Sequence, residues 1–254
     1  MYTVHTMESM LNLRVHIAPV GFEIDRVVVP AVKMKADLVY LVVDRNIATD
    51  KSTKFQTEII KKLKRKKIKT KIVYANRLKL FDIIRVVKEI ILDHRDDEFY
   101  VNVASGSKIH AIACMMACMV LKECDNLQPF YAEPESYAAF EGKQQSFGIK
   151  DTIALPTYEI QTPKPKLLAA LKIVSEQPKQ KITKKDMAQI AEEQEIITIN
   201  AEQENHSQAR FASLDKNIIA PLEKEWKFIE VEKIGRNRWI KITQEGIDAA
   251  EFLI

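Results

Sequence analysis

The sequence predicts an α/β protein in which a Rossmann-like, doubly wound parallel sheet precedes a small domain of the winged helix-turn-helix type. From Leu13 to about Tyr137, short apolar segments alternate with helical ones. Nearly continuous apolar strands of this kind are typical of a parallel sheet that is covered on both faces. After the two prolines of "QTPKPK" the alternation stops, and helical stretches lead into two alternating strands. That order is typical of a winged helix.

Five strands are predicted in the first half, with a helix after each of the first four. The strands are "LRVHIAPV", "DLVYLVVD", "KTKIVYA", "EFYVNVA" and "LQPFYAE". The helical patterns lie at about 25–35, 51–66, 80–93 and 109–122. The stretch "SFGIKDTIALPTYEI" predicts one or two more strand-like pieces. In a doubly wound sheet we expect the strand order 3-2-1-4-5.

The second half predicts three helices, a hairpin and a last helix. The helices are "KLLAALKIVSEQ", "TKKDMAQIAEEQ" with Thr183 as its cap, and a long stretch around Ser207–Trp226. Two strands flank the turn "GRNR", and "QEGIDAAEFLI" closes the chain. The predicted domains are therefore residues 1–160, a linker at 161–166 and a winged helix at 167–254.

The composition indicates the class of protein but does not identify a binding partner. The net charge of +4 is modest, and we interpret the basic run "KKLKRKK" as a solvated helix end.

Cys114 and Cys118 fall in an apolar helix with Cys124 just beyond it, which indicates small buried hydrophobes in a reducing compartment. No metal site and no cofactor is predicted. The longest apolar run is too short to span a bilayer and the chain opens without a secretory signal, so we expect a cytoplasmic protein without a membrane partner.

Two loops of the first half are predicted to face each other. Strands 1 and 4 are neighbours in the expected order, and the winding reverses between them, which opens a crevice at their carboxyl ends. The candidate ligand-binding residues there are Pro19, Val20, Gly21 and Phe22 on one side and Ser105, Gly106, Ser107 and Lys108 on the other.

The chemistry of these loops suits a phosphate or a polar nucleotide edge. Gly106 permits close approach of backbone, the two serines are donors and acceptors, and Lys108 adds a charge near a helix N-terminus. Phe22 could stack on a base. The structural alternative is that Ser107 is an N-cap, Gly106 a turn residue and Phe22 a core aromatic. The sequence has no G-x-G-x-x-G turn and no P-loop motif, so the usual dinucleotide and NTPase sites are excluded.

The loops also carry a resemblance to a known family. The segments "VHIAPVGFEIDRVVVP" and "VNVASGSKIHAIA", together with a C-terminal winged helix, resemble the CRISPR-associated Rossmann fold (CARF) regulators of archaea, and more narrowly the haloarchaeal-type CARF and winged-helix transcriptional regulators. The resemblance implies a CARF-like sensing and dimerisation domain. It also implies a homodimer whose strand-1 and strand-4 loops form one symmetric pocket for a cyclic oligoadenylate.

The winged helix predicts contacts with DNA. Its recognition helix is expected to begin near Asn205, and glutamine and arginine are side chains that read base edges. The candidate DNA-binding residues are Ser207, Gln208, Arg210, Arg236, Arg238 and Lys241. Phe211, Leu214, Ile218, Ile219 and Leu222 share an apolar face and are predicted to be core.

Three hypotheses about function follow. The first is a ligand-responsive transcriptional regulator that binds a palindromic operator as a dimer. The second is a metal-independent ring nuclease, which the resemblance also allows, although no catalytic residue is assigned. The third is a dimeric scaffold whose winged helix binds protein.

Overall fold

The computed structural model describes residues 12–48, 50–137, 144–158, 160–199 and 205–254. The chain divides into two compact units, 1–160 and 161–254, which are treated separately below. In the described part of the chain, no helix is long and apolar enough to cross a bilayer.

The first unit is built on a six-stranded sheet. Its strands and those of a small hairpin are β1 (Arg14–Pro19), β2 (Leu38–Asp44), β3 (Lys69–Ala75), β4 (Glu98–Asn102), β5 (Leu127–Glu133), β6 (Ser136–Tyr137), β7 (Ser146–Phe147) and β8 (Asp151–Ala154). The sheet order is β3-β2-β1-β4-β5-β8. The first five strands are parallel and β8 is antiparallel to β5. The predicted order 3-2-1-4-5 is therefore confirmed.

Four helices connect these strands: α1 (Asp25–Lys33), α2 (Thr53–Arg65), α3 (Leu80–Asp93) and α4 (Lys108–Val120). Because such crossovers are right-handed, α1 and α2 cover one face of the sheet and α3 and α4 the other. The central strands β1 and β2 are buried almost throughout, whereas the edge strand β3 is largely exposed. This explains why only the central strands are continuously apolar.

The three cysteines follow the expectation only in part. Cys114 and Cys118 are fully buried in α4, and burial raises the pKa of the Cys114 thiol to about 12. Cys124 lies beyond the helix and is half-buried, so it is not a core residue.

The second unit is a winged helix. Its elements are α5 (Pro165–Ser175), β9 (Lys181–Thr183), α6 (Lys184–Glu193), α7 (His206–Leu214), β10 (Ile229–Ile234), β11 (Asn237–Ile242) and α8 (Gln244–Leu253). The three strands form an antiparallel sheet in the order β10-β11-β9. As predicted, Thr183 caps α6 by accepting a hydrogen bond from the Asp186 amide. The predicted apolar face of α7 and its continuation lies in the core, with Phe211 only partly buried.

Three details of this unit differ from the sequence expectation. Helix α5 begins at Pro165, so the last two residues of the predicted linker are helical, because proline is well tolerated in the first turn of a helix. Strand β9 was not predicted. The long helix after Asn205 continues beyond Leu214 as wide, π-type turns up to Glu225, since Pro221 has no amide to donate to a normal helical bond.

Candidate functional site

The loops that follow β1 and β4 are in direct backbone contact. A Cβ atom placed on Gly21 would lie 3.0 Å from the Cα of Gly106. Gly106 has φ +80°, and a Cβ placed on it would lie 2.7 Å from the Cβ of Pro19. Gly106 therefore requires glycine, both for space and for its backbone conformation. At Gly21 a side chain would fit only if the backbone of Gly106 moved by a few tenths of an ångström. The structure brings the two candidate ligand loops together at the switch point of the sheet.

The eight candidate ligand residues differ in exposure. Pro19, Val20 and Ser105 are buried, Gly21, Phe22, Gly106 and Ser107 are half-buried, and Lys108 is exposed. The Phe22 ring packs against Phe55 of α2, with ring centroids 5.4 Å apart, and the Phe22 carbonyl accepts a hydrogen bond from the Gln145 amide at 2.9 Å. This packing favours the structural alternative for Phe22 over stacking on a base.

Ser107 caps α4, as its structural alternative predicts. Its hydroxyl accepts a hydrogen bond from the His110 amide, and the Ser107 amide donates to Nδ1 of His110 at 3.2 Å. The Ser107 hydroxyl also lies 2.8 Å from that nitrogen. His110 is not among the residues that the sequence analysis assigns to the site. The capping-box spacing, with histidine three residues after serine, is the signal that would have identified it.

Beneath the β4 loop, two buried polar atoms have no hydrogen-bond partner in the described part of the chain: Nε2 of His110 and Oγ of Ser105. Since Nδ1 of His110 accepts the Ser107 amide, the neutral ring carries its proton on Nε2. Burial, and to a smaller extent the charge of Arg77, lowers the pKa of His110 from 6.5 to about 4. A buried donor without a partner costs about 1–3 kcal/mol, so a ligand that reached either atom would recover that cost.

An ionic cluster lies at the ends of the neighbouring strands. Arg77, after β3, places Nε 3.8 Å from Oδ2 of Asp44 and a terminal guanidinium nitrogen 3.7 Å from Oδ1 of Asp50. Because these strands are parallel, the cluster lies at the same edge of the sheet as His110, and its charges affect the pKa of that residue. None of them was predicted as a site residue, because they belong to segments that follow different strands.

A buried arginine ties the strand ends together. Arg26 of α1 is 8% exposed, and its guanidinium donates to the carbonyl of Ala104 at 2.9 Å and to that of Ala132 at 3.1 Å. It lies 3.6 Å from the carboxylate of Glu23, which in turn accepts hydrogen bonds from the amide and hydroxyl of Ser146. Arg26 thus holds the end of β4, and with it the Ser105–Lys108 loop, against α1.

In the winged helix, the candidate base-reading residues are not equivalent. Ser207 and Gln208 are exposed. Arg210 is half-buried, and its guanidinium is 3.1 Å from the carboxylate of Glu192 in α6. The acidic stretch "AEEQEIITINAEQE" precedes this helix and would repel phosphates that it faced, and its last residues, 200–204, lie outside the described residues.

The wing carries its predicted cations on the surface. Arg236, Arg238 and Lys241 are exposed. The turn is shorter than predicted, because Gly235, with φ +62°, and Arg236 alone connect the strands, while Arg238 already belongs to β11. Three exposed cations on one hairpin suit phosphate contacts.

Comparisons with known proteins follow the same division. Residues 14–137 match the family model described as "HFX_2341_N:-like, N-terminal", and residues 166–254 match the DUF6293 C-terminal winged helix domain. A relative from Methanocaldococcus jannaschii, the uncharacterized protein MJ1513, is 31% identical over 205 residues, which is 71% of this chain and 61% of that protein. The chain thus spans about three fifths of the length of this curated relative.

Solved structures show only distant likeness. Csm6 of Enterococcus italicus, bound to cyclic hexa-2′-fluoro-hexa-dAMP, matches with a TM-score of 0.36 and 13% identity over 50% of this chain and 34% of its own. Can2 of Sulfobacillus thermosulfidooxidans, in complex with cyclic tetra-adenylate, matches with a TM-score of 0.42 and 11% identity over 94% of this chain and 63% of its own. At these scores the likeness carries no conclusion about ligand or activity. The protein is an α/β chain with a mostly parallel sheet, similar to the HFX_2341_N-like family, followed by a winged helix domain similar to that of DUF6293.

Proposed function

We propose that the protein is a ligand-responsive DNA-binding transcriptional regulator whose first unit binds a cyclic oligoadenylate-type nucleotide. The single observation that carries the proposal is the meeting of the Gly21 and Gly106 loops at the switch point of the sheet. Ligands of doubly wound sheets bind at this place. The motif resemblance to CARF regulators supplies the class of ligand.

The site chemistry supports an anionic ligand. Lys108 is exposed at the N-terminus of α4, where free backbone amides and the helix dipole favour negative charge. Ser107 stands at the same position, and the unpartnered hydroxyl of Ser105 and ring N–H of His110 lie behind it. In a homodimer whose two copies joined at these loops, the amides and lysines of both chains would surround one ring of phosphates.

The ligand-binding step is tested with the full chain and two variants. Calorimetry should detect binding of cyclic tetra- or hexa-adenylate and weaker binding of linear oligoadenylate of the same length. Lys108→Ala should weaken binding about tenfold or more, because an exposed cation is lost without a change in packing. Lys122→Ala, just beyond the other end of α4, should bind as the wild type does. If no cyclic oligoadenylate binds, or if both variants bind equally, the sensor assignment is wrong.

The DNA-binding step rests on the winged helix and its exposed cations. Selection from random duplexes should enrich a palindrome whose half-sites lie about one or two helical turns apart, as a dimer requires. Changing Arg236 and Arg238 to alanine should weaken DNA binding. Each change should also make the slope of log affinity against log salt concentration shallower by about one, because one phosphate contact is lost. Lys172→Ala on α5 is the control. Enrichment of no sequence would favour the alternative of a protein-binding scaffold.

Regulation requires coupling between the two steps. A ligand that prefers one dimer geometry should change operator affinity, and the operator should change ligand affinity by the same factor. Titrating ligand in the presence and absence of operator measures both factors. Equal ligand affinities in the two titrations would exclude regulation by this route.

A second candidate function, cleavage of the bound ring, is favoured by one observation. The Ser107 hydroxyl lies 2.8 Å from Nδ1 of His110, a ring that burial keeps neutral near pH 7. In such a reaction a ribose 2′-oxygen attacks the adjacent phosphorus as a base takes its proton. The bond from phosphorus to the 5′-oxygen breaks, which leaves a 2′,3′-cyclic phosphate, and the 5′-oxygen takes up a proton from water to become a hydroxyl. Incubation with labelled cyclic tetra-adenylate should then give linear products that disappear in His110→Gln. An intact ring after long incubation would leave sensing alone.

A further inference from the structure

The positive charge of the chain is concentrated in one short segment. Residues 61–71, "KKLKRKKIKTK", contain eight lysines and arginines and no aspartate or glutamate. The chain has 39 Lys and Arg against 35 Asp and Glu, a net charge of +4, so without these eight it would carry −4. The segment therefore determines the sign of the protein's charge, and a surface of this kind attracts polyanions over a distance.

The fold adds further cations to the same edge of the sheet. Lys35 and Lys67 occupy equivalent positions just past the ends of α1 and α2, with φ 55° and 61°. In each case the amide of the next residue donates back into the last helical turn, at 2.8 and 3.1 Å. Both loops lead directly into strands, so they lie where parallel strands begin. We call the following exposed residues the basic edge: Lys35, Lys64, Arg65, Lys66, Lys67 and Lys69.

A cavity opens between these loops. It has a volume of about 530 Å³, and Lys35, Lys66, Lys67 and Lys69 contribute to its lining, with Val32 and Ile68 among its apolar residues. The lining includes one acidic residue, Asp37, whose carboxylate is 3.5 Å from the guanidinium of Arg14 and also accepts the Arg14 amide. Asp37 thus pairs with Arg14 and not with a lysine of the cavity.

The residues of the basic edge differ from their neighbours in that they are not paired with a carboxylate of the described chain. The neighbouring Lys61 pairs with Glu58 and Lys62 with Asp25, at 3.5 and 3.3 Å. For the six residues of the basic edge, no described carboxylate lies within ion-pair distance. The dipoles of two helix C-termini supply about half a negative charge each, which offsets about one of the six cations. Helix capping therefore does not account for the cluster.

The geometry identifies the class of ligand. Helix C-termini present carbonyl groups, so a small anion would find no backbone donors here. Affinity must come from several flexible lysine side chains that act as separate point charges. Such a surface suits a long chain of phosphates and is indifferent to sequence. We propose that the basic edge binds the phosphodiester backbone of a nucleic acid, as a second contact separate from the winged helix.

The test uses the full chain with both wing arginines changed to alanine, so that failure of the winged helix to bind DNA does not affect the result. In this background, Lys66, Lys67 and Lys69 are replaced by glutamine. In the control, glutamine replaces Lys79, Lys122 and Lys150, three exposed lysines of the same unit. Both variants therefore lose three positive charges. Binding to a random-sequence duplex and to a poly-dT strand of equal length is measured against salt, and circular dichroism confirms that both variants are folded.

We expect the basic-edge variant to bind at least one of the two nucleic acids about tenfold or more weakly at 0.1 M salt, with a salt slope shallower by about two to three. The control should lose much less. Comparison of duplex with single strand shows which form the edge prefers. Equal losses in both variants, or no loss in either, would overturn the proposal. The proposal would also be overturned if the basic-edge variant bound both nucleic acids as before but no longer bound phosphatidylserine vesicles.

Discussion

Gly21 and Gly106, which are 85 positions apart in the chain, face each other so closely that a methyl group on Gly21 would lie 3.0 Å from the Cα of Gly106. The strand order makes this contact possible, because β1 and β4 are adjacent and parallel and their loops leave the same edge. The absence of a side chain at both positions lets the two loops close.

Gly106→Ala should therefore destabilise the first unit by more than the cost of placing an alanine in a left-handed backbone conformation. A left-handed backbone costs a residue with a Cβ about 1–2 kcal/mol, and overlap with the Pro19 ring adds about 1–3 kcal/mol. Gly235→Ala is the matched control, because Gly235 has φ +62° but no neighbour within 4 Å of the added atom. It should cost only the first amount.

Urea unfolding followed by circular dichroism measures both changes. The two tryptophans, Trp226 and Trp239, lie in the second unit, so their fluorescence follows that unit alone. Equal losses of unfolding free energy in Gly106→Ala and Gly235→Ala would contradict the close approach of the loops.

Arg26 should be the most sensitive polar residue of the first unit. Arg26→Met removes the guanidinium from two carbonyls and leaves Glu23, which is 4% exposed, without its cation. Removing one partner of a buried pair costs about 3–5 kcal/mol. Arg26→Lys keeps the positive charge but lacks the planar set of donors with which the guanidinium reaches both carbonyls. It should therefore restore only part of the lost unfolding free energy.

A double-mutant cycle with Glu23→Gln isolates the pair. The double variant should be more stable than the sum of the two single losses predicts, because the unpaired carboxylate has also been removed. Additive losses would show that the two side chains do not act on each other.

The first unit should lose stability as the pH falls below about 6.5. Burial lowers the pKa of His16 from its usual 6.5 to about 4, and that of His110 falls to about 4 as well. The unfolded chain then binds protons that the folded chain does not, so the stability present above pH 6.5 is lost as the pH falls toward 4. Each histidine accounts for about 2 kcal/mol between pH 7 and pH 5.

His16→Leu should remove about half of that pH dependence, whatever its effect at pH 7. The measurement is the difference in unfolding free energy between the two pH values. An unchanged difference in His16→Leu would mean that His16 does not determine acid sensitivity.

Arg210 should behave as a structural residue of the winged helix. Its ion pair with Glu192 joins α7 to α6, and both side chains are largely sheltered, at 22% and 29% exposure. Arg210→Ala should lower the unfolding free energy of the second unit by about 1 kcal/mol. Gln208→Ala, on the exposed side of the same helix, should leave it unchanged.

Tryptophan fluorescence during urea unfolding measures this difference directly. Operator binding by the same two variants then separates stability from base contacts. Arg210→Ala with wild-type stability and weaker DNA binding would restore the sequence-based prediction that Arg210 reads bases.

Much of the fold could be predicted from the sequence because its signals are local. The alternation of apolar strands and helices predicts the sheet and its order, and Thr183 three residues before Asp186 predicts the cap of α6. The cap depends on contacts within a few residues, and the strand order follows from the usual order of doubly wound sheets. The candidate loops could be placed for the same reason, since strand order determines which loops leave neighbouring strands.

The sequence by itself determined the class of fold, the position of the candidate loops and the concentration of cations in residues 61–71. Tertiary structure alone decided which polar side chains find partners beyond their own helix or turn. Arg26 meets Ala132 across 106 residues and Glu23 meets Ser146 across 123, while Arg210 is turned toward Glu192 by the packing of two helices. No periodicity links such positions, because burial requires a partner for each polar group but does not specify where in the chain that partner lies.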